Sequence, residues 1–351
     1  MINPKRLRCL PLGLAFLLGG CNTVVMNPSG DVASQQSHLI VMSTLLMLLI
    51  IVPVIALTLF FAWRYRQSNT SATYDPDWDH STALELVIWG APLLIIIALG
   101  LMTWISTHTL DPYRPLSRLD EQRPLPEDAK HLTVEVVALD WKWLFIYPEQ
   151  GVASVNELVA PVDMPIRFKL TASTVMNSFF VPALAGQVYA MPGMETKLHA
   201  VINRPGEFQG FSANYSGGGF SDMRFKFHGV SGEAFEQWVK AAKDAGGTLD
   251  RAGYQELEQP SKRVAVRHFG SVEENLFDAI VNRCVDRSKM CMSQMMAIDA
   301  RGGMGVATFG VSRPEQSGAG RAPVRSFVLA QACKADEPAV LQTSLAGSIA
   351  Q

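Results

Sequence analysis

Between residues 22 and 283 the chain has no cysteine; its five are Cys9, Cys21, Cys284, Cys291 and Cys333. That gap excludes a disulfide and a thiolate metal site from the middle of the chain. Basic residues are missing from another stretch, with no Lys or Arg between Cys21 and Trp63. An excess of charge of either sign is lacking too. Thirty Lys and Arg stand against 32 Asp and Glu, a formal net charge of -2, so the charge balance gives no case for nucleic acid. Histidine is absent from the interior of the two longest apolar runs. Axial ligation of haem inside a membrane is therefore excluded for this chain.

Hydrophobic residues make up 48% of the chain and crowd towards its start. Lys5, Arg6 and Arg8 precede a short apolar stretch, the pattern of an export signal over residues 1–20. It closes on Leu18-Gly19-Gly20-Cys21, which resembles the lipobox of bacterial lipoproteins. By that resemblance Cys21 is the lipidated first residue after cleavage, carrying palmitate among its acyl chains.

Residues 21–110 read as a membrane hairpin. Its two apolar runs, residues 39–63 and 84–105, each reach the length of about 20 residues that a transmembrane helix needs. Trp63, Tyr65, Trp89 and Trp104 lie in or near the ends, where aromatic belts form. Arg64 and Arg66 open the connecting loop, which the positive-inside rule places in the cytoplasm, with both chain ends outside. Asp75, Asp77 and Asp79 of that loop weigh little in the rule. Glu85 stands one turn into the second run, and an ionisable residue there is a functional hypothesis.

From about residue 130 the pattern changes to short runs of period two, predicting an antiparallel sandwich or Greek-key barrel over residues 130–230. Strands are expected at 131–137, 141–147, 166–171, 196–202, 207–213 and 223–227. His199 and His228 stand singly on such strands and read as structural. Beyond Val230 the period becomes helical, predicting a small appendage over residues 231–284. Ser231 is expected to cap its first helix and Thr248 its second, with Ser271–Glu274 as a capping box for the third. Residues 285–351 are Met-, Gly-, Ser- and Ala-rich without period and predict a disordered tail. Met290, Cys291, Met292, Met295 and Met296 are soft donors of the kind Cu(I) takes, although incidental sulfur in a tail explains them as well.

One stretch carries a specific resemblance. Residues 204–223, Arg-Pro-Gly-Glu-Phe-Gln-Gly-Phe-Ser-Ala-Asn-Tyr-Ser-Gly-Gly-Gly-Phe-Ser-Asp-Met, resemble without a gap the copper-binding loop of the haem-copper oxidase subunit II family. The two Cys of that loop fall on Ser212 and Ser216, its Glu on Asn214 and its His on Phe220; only the Met, Met223, is kept. The family's upstream His falls on Asn177, in Asn177-Ser178-Phe179-Phe180-Val181-Pro182. A dinuclear copper centre needs thiolates and imidazoles. The resemblance therefore implies a cupredoxin-like barrel that has lost its metal, as in the subunit II of quinol oxidases of the cytochrome o type.

Further expectations follow from the resemblance. Glu85 falls where such subunits place a Glu at the mouth of a proton channel of subunit I. Haems and copper belong to subunit I and ubiquinol is the substrate of the complex, with no cofactor on this chain. Partners are subunits I, III and IV and membrane lipid, but not cytochrome c or nucleic acid. The place implied is the bacterial inner membrane, with the N-terminus and the C-terminal domain on the periplasmic side. Trp141 and Trp143 match an aromatic stretch that accepts electrons from cytochrome c in copper-bearing relatives; without copper they read as packing residues. A cytochrome c oxidase subunit II and a tethered scaffold or assembly lipoprotein are the alternative readings.

Overall fold

The first two helices are apolar nearly all round and open along their apolar stretches, which suits lipid. The computed structural model describes residues 23–302 apart from 74 and 127. After a 3-10 turn at Val24–Met26, α1 covers Asp31–Arg64 and α2 Thr82–Thr109. Their 34 and 28 residues rise roughly 51 and 42 Å at 1.5 Å per residue, against a hydrocarbon core of about 30 Å. Both helices are long and apolar enough to cross a membrane. Pro53 and Pro92 sit inside them without ending them.

The surplus length of α1 stands on the β domain. Ser29 N and Gly30 N both donate to Ala183 O at 2.9 Å. A Cβ at Gly30 would come within 2.5 Å of Val201 O, so only glycine admits this approach. Asp31, 5% exposed, accepts from Gln35 Nε2 at 2.7 Å and pairs with Arg118 Nε at 3.0 Å.

Ten strands build the barrel: β1 (Leu132–Leu139), β2 (Lys142–Tyr147), β3 (Val152–Val155), β4 (Glu157–Pro161), β5 (Ile166–Ala172), β6 (Asn177–Phe180), β7 (Val188–Ala190), β8 (Thr196–Ala200), β9 (Gly206–Ser212) and β10 (Arg224–Val230). The appendage contributes α3 (Gly232–Asp244), β11 (Thr248–Leu249), α4 (Arg251–Glu258), β12 (Arg267–Phe269), β13 (Ser271–Val272), α5 (Leu276–Val281) and α6 (Met292–Asp299). One sheet runs β12-β3-β2-β1-β5-β8 and the facing sheet β4-β10-β9-β6-β7, with β11-β13 apart. The pairing is not wholly antiparallel as expected. β1 lies parallel to β5 and β10 parallel to β4, because the long connections around the barrel return the chain in the same direction.

Between the sheets lies an aromatic core of Trp143, Phe145, Phe168, Phe179 and Phe225, with Phe179 and Phe225 stacked at 5.4 Å. Phe225 lies across Gly210, where a Cβ would come within 2.0 Å of the ring. Gly210→Ala is expected to destabilise the protein by about 1–3 kcal/mol through overpacking, read as a lowered unfolding midpoint. The other face of β1–β2–β3 is buried as well. Val137, Leu139, Leu144 and Ile146 pack against Leu249, Tyr254, Leu257, Phe277 and Ile280 of the appendage. Every residue of β2 is buried for that reason.

Glu135 on β1 is a partly buried carboxylate, 3.6 Å from Lys169 Nζ. Burial pushes its carboxyl up to about 6, with Lys169 opposing. The folded state thus holds a proton that the unfolded chain has already released at the same pH. Stability is fully kept below about pH 4.5 and falls as the pH rises through about 6. Glu135→Gln should therefore raise the unfolding midpoint at pH 7.5 and leave it unchanged at pH 4, in thermal melts of the two proteins side by side.

Ser231 caps α3 as expected, accepting from Ala234 N. The cap of α4 is Asp250, which accepts from Gly253 N, and not Thr248, which pairs in β11 with Ser271. No capping box forms at Ser271–Glu274. Ser271 is drawn into β13, and the Glu273 carboxylate turns back to accept from Arg251 N at 3.0 Å and to pair with Arg251 Nε. Beyond Cys284, a Cys284–Cys291 disulfide closes a loop that leads into α6. Residues 303–351 of the expected tail, like the expected export signal and Cys21, lie outside the described residues.

Candidate functional site

The loop that joins β9 to β10 carries the positions singled out by the resemblance, and β6 brings Asn177 to them. Asn177, at the head of β6, and Ser212, at the end of β9, are both buried. Ser212 Oγ donates to Asn177 Oδ1 at 3.0 Å and lies 3.2 Å from Asn214 O. The Asn214 amide turns outward to Met176 O and Tyr215 O. Ser216 Oγ lies 3.9 Å from Met223 Sδ, and Met223 is 1% exposed. Phe220 stacks obliquely on Tyr215 at 5.6 Å and, with Ser212 and Met223, lines a cavity of about 300 Å3. All six positions are gathered in one place. Their donors are hydroxyl, amide and thioether groups that largely satisfy one another, a set that suits neither Cu(I) nor Cu(II).

Trp141 and Trp143 pack, as read. Trp143 is in the aromatic core. Trp141 lies on Gly217 and Gly219, where a Cβ would approach its ring to 3.1 and 2.4 Å, and its Nε1 donates to Ser216 O at 2.8 Å. Lys262 Nζ covers the ring at 5.6 Å. A strap over this region is held by Lys142, a residue whose role the sequence reading missed. The Lys142 ammonium is buried and donates to Gln259 O, Asp140 O and Ser261 Oγ, and burial lowers its pKa. Alternation alone would have turned Lys142 outward, and only a covering segment makes its burial possible.

Glu85 falls in the first turn of α2, and its Oε1 lies 2.8 Å from His80 Nδ1. The other ring nitrogen, His80 Nε2, is 3.2 Å from Thr82 Oγ1. Both side chains are at least half exposed. The sequence reading missed His80, although its place just before the helix start, five residues from Glu85, was a visible signal. Among the described residues, His228 and His199 join no group of three or more His, Cys, Asp or Glu side chains that could hold a metal ion. His228 Nε2 lies 3.7 Å from Glu157, which also accepts from His268 Nε2 at 2.7 Å and Trp238 Nε1 at 3.0 Å and so ties the appendage to the barrel. Burial lowers the pKa of His199. Cys291 is bonded to Cys284 and so offers no thiolate to copper, which removes one of the soft donors named for the tail.

The family described as "Cytochrome C oxidase subunit II, periplasmic domain" matches residues 148–230, and "COX Aromatic Rich Motif" matches residues 243–288. The "Cytochrome bo(3) ubiquinol oxidase subunit 2" of Pseudomonas aeruginosa is 50% identical over 282 residues, 80% of this chain and 82% of that one. This chain belongs to the ubiquinol oxidase subunit 2 family. The "Ubiquinol oxidase subunit 2" of Acetobacter aceti is also 50% identical, over 77% of this chain and 85% of its own. Among solved structures, the periplasmic domain of subunit II of cytochrome oxidase (CoxB) of Bradyrhizobium japonicum is 27% identical, with a TM-score of 0.31. It covers 32% of this chain and 94% of that domain. Family membership decides against a cytochrome c oxidase subunit II and makes the chain part of a quinol-oxidising complex. The domain matched by the second family is the strap and helices that bury the outer face of β1–β3.

Proposed function

We propose that this chain is the metal-free subunit of a terminal oxidase that passes electrons from ubiquinol to oxygen. It braces subunit I and supplies a proton-collecting group at the cytoplasmic face. Haems and copper reside in subunit I, with subunits III and IV completing the complex. The observation that carries the reading is the closed hydrogen-bond set Asn177–Ser212–Asn214, which occupies the ground where the family's copper ligands stand. Electrons therefore bypass this chain, and cytochrome c is not its partner.

The orientation rests on Arg64 and Arg66 at the cytoplasmic end of α1 and is supported by the Cys284–Cys291 disulfide, a bond of oxidising compartments. The N-terminus and the barrel then face the periplasm from the inner membrane, and Cys21 is placed for acylation at the outer surface. Glu85, with His80 in contact, stands at the opposite surface, where a carboxylate paired with an imidazole can take up protons from water.

The test is purification of the tagged chain from solubilised membranes, with metal analysis and a visible spectrum. The expected result is a haem-bearing partner, copper at the level of one haem-copper centre and quinol-driven oxygen uptake. Further copper held by this chain would overturn the metal-free reading. Absence of any haem protein would overturn the oxidase role.

A further inference from the structure

The short turn before α1 carries three exposed apolar residues in a row. Val24 is 53% exposed, Val25 38% and Met26 48%. Nothing in a water-facing segment calls for them, and the residues around them, Asn22 to Gly30, carry no charge. Their height relative to the bilayer can be read from the contacts of α1. Met26 Sδ lies 4.0 Å from Ser37 Oγ, and Ser37 is buried on a helix whose lower residues are mostly open. Ser37 is six residues below the start of α1 at Asp31, roughly 9 Å down the axis at 1.5 Å per residue. The predominantly apolar run of residues 39–63 starts two residues further on, at Leu39.

The chain thus doubles back. Val24–Met26 lies beside α1 at the level where hydrocarbon begins. Asn27 to Ser29 climb to the barrel, where Ser29 and Gly30 bond to Ala183, and α1 descends again past Met26. An uncharged segment with apolar side chains at that height fits the boundary between headgroups and acyl chains.

We propose that Val24, Val25 and Met26 form a membrane-dipping anchor that inserts into the outer leaflet beside α1, with phospholipid acyl chains as its occupant. The anchor holds the chain immediately after Cys21 against the membrane whether or not Cys21 is acylated. It also fixes the tilt of the barrel, since one strand of chain descends to the lipid and α1 descends beside it. The proposal rests on the two-helix membrane reading, and the experiment separates its failure from the failure of that reading.

The whole complex is reconstituted in phospholipid nanodiscs with a nitroxide placed singly by V25C, L49C or E236C, in a background where Cys333 and other reactive cysteines are replaced. Power-saturation spectroscopy then reads collision with oxygen, which enters lipid, and with a water-soluble nickel chelate. Leu49 lies mid-span and 64% exposed, and Glu236 is exposed on α3, so they calibrate lipid and water. The expected result is an oxygen-to-nickel ratio at position 25 several-fold above that at 236 and on the lipid side of the scale. A ratio equal to that at 236 overturns the anchor. Shielding from both reagents also overturns it, in favour of a protein cover. A water-like signal at 49 would instead mean that the membrane-spanning reading itself is wrong. As a second variant, V24S/V25S/M26S carrying a label at Thr23 should shift that label towards water, whereas an unchanged ratio counts against insertion by these side chains.

Discussion

Glu85→Ala lowers quinol-driven oxygen uptake by roughly tenfold or more, because a positioned proton-transfer group contributes on the order of 10²–10⁴-fold to the step it serves. The loss is smaller than the upper figure since bulk water still reaches this exposed end of α2. Haem content and recovery of the complex are expected to be unaffected, because the Glu85 side chain is half exposed. Glu85→Asp keeps most of the activity, and Glu85→Gln does not. The neighbouring imidazole gives a finer reading. His80→Gln preserves a hydrogen-bonding group beside Glu85 but removes a proton-exchanging ring, so uptake falls several-fold less than in Glu85→Ala. Oxygen-electrode rates over a pH series measure all four proteins. Full activity in Glu85→Ala would remove this residue from the proton path.

Restoring the donors should restore the metal. A variant carrying Asn177→His, Ser212→Cys, Asn214→Glu, Ser216→Cys and Phe220→His, with Met223 kept, is expected to bind copper and to gain the intense visible absorption of thiolate-bound copper. The parent should show neither. The frame favours this outcome, since Asn177 and Ser212 already lie in hydrogen-bond contact and Ser216 already faces Met223. Met223 is buried and needs no movement to serve as a thioether ligand. A control with the two Ser→Cys changes left out separates thiolate ligation from adventitious binding, because imidazoles and a thioether alone give no such band. If the full variant keeps the parent's near-ultraviolet circular dichroism and binds no copper, residues 204–223 are not a vacated copper loop.

Much of this was legible in the sequence for identifiable reasons. The membrane helices announce themselves by apolar length, and the strands with clean alternation or aromatic runs fell within two residues of β1, β2, β5, β8 and β9, while β10 runs three residues past its expected end. β3, β4 and β6 escaped because each is four or five residues long and buried on nearly every position, which erases period two, and β7 because three residues are too few to display a period. The candidate loop was read from motif spacing, and that spacing survives because Pro205, Gly210 and Gly217 fix backbone positions independently of any metal. Gly217 has φ +107°, and a Cβ there would press on Trp141. What the sequence could not display were partnerships across the chain. Glu273 looks like a local cap and instead binds Arg251 N, Lys142 looks exposed and is buried by Gln259 and Ser261, and Cys291 looks like tail sulfur and is bonded to Cys284. Each depends on residues brought together only by the appendage.

The edge strand of the larger sheet, β12, comes from residues 267–269 and pairs with β3 at residues 153–155, more than a hundred positions earlier. That pairing has a consequence for biosynthesis. As the chain is made from its N-terminus, all ten barrel strands arrive while the outer face of β1–β3 is still bare. Val137, Leu139, Leu144 and Ile146 then wait in water for Tyr254, Leu257, Phe277 and Ile280. A fragment cut at Val230 would retain every strand of the barrel and still present that apolar face to solvent, as a surface for aggregation or chaperone capture. The smallest piece that can fold without such help ends near the disulfide, not at the last barrel strand.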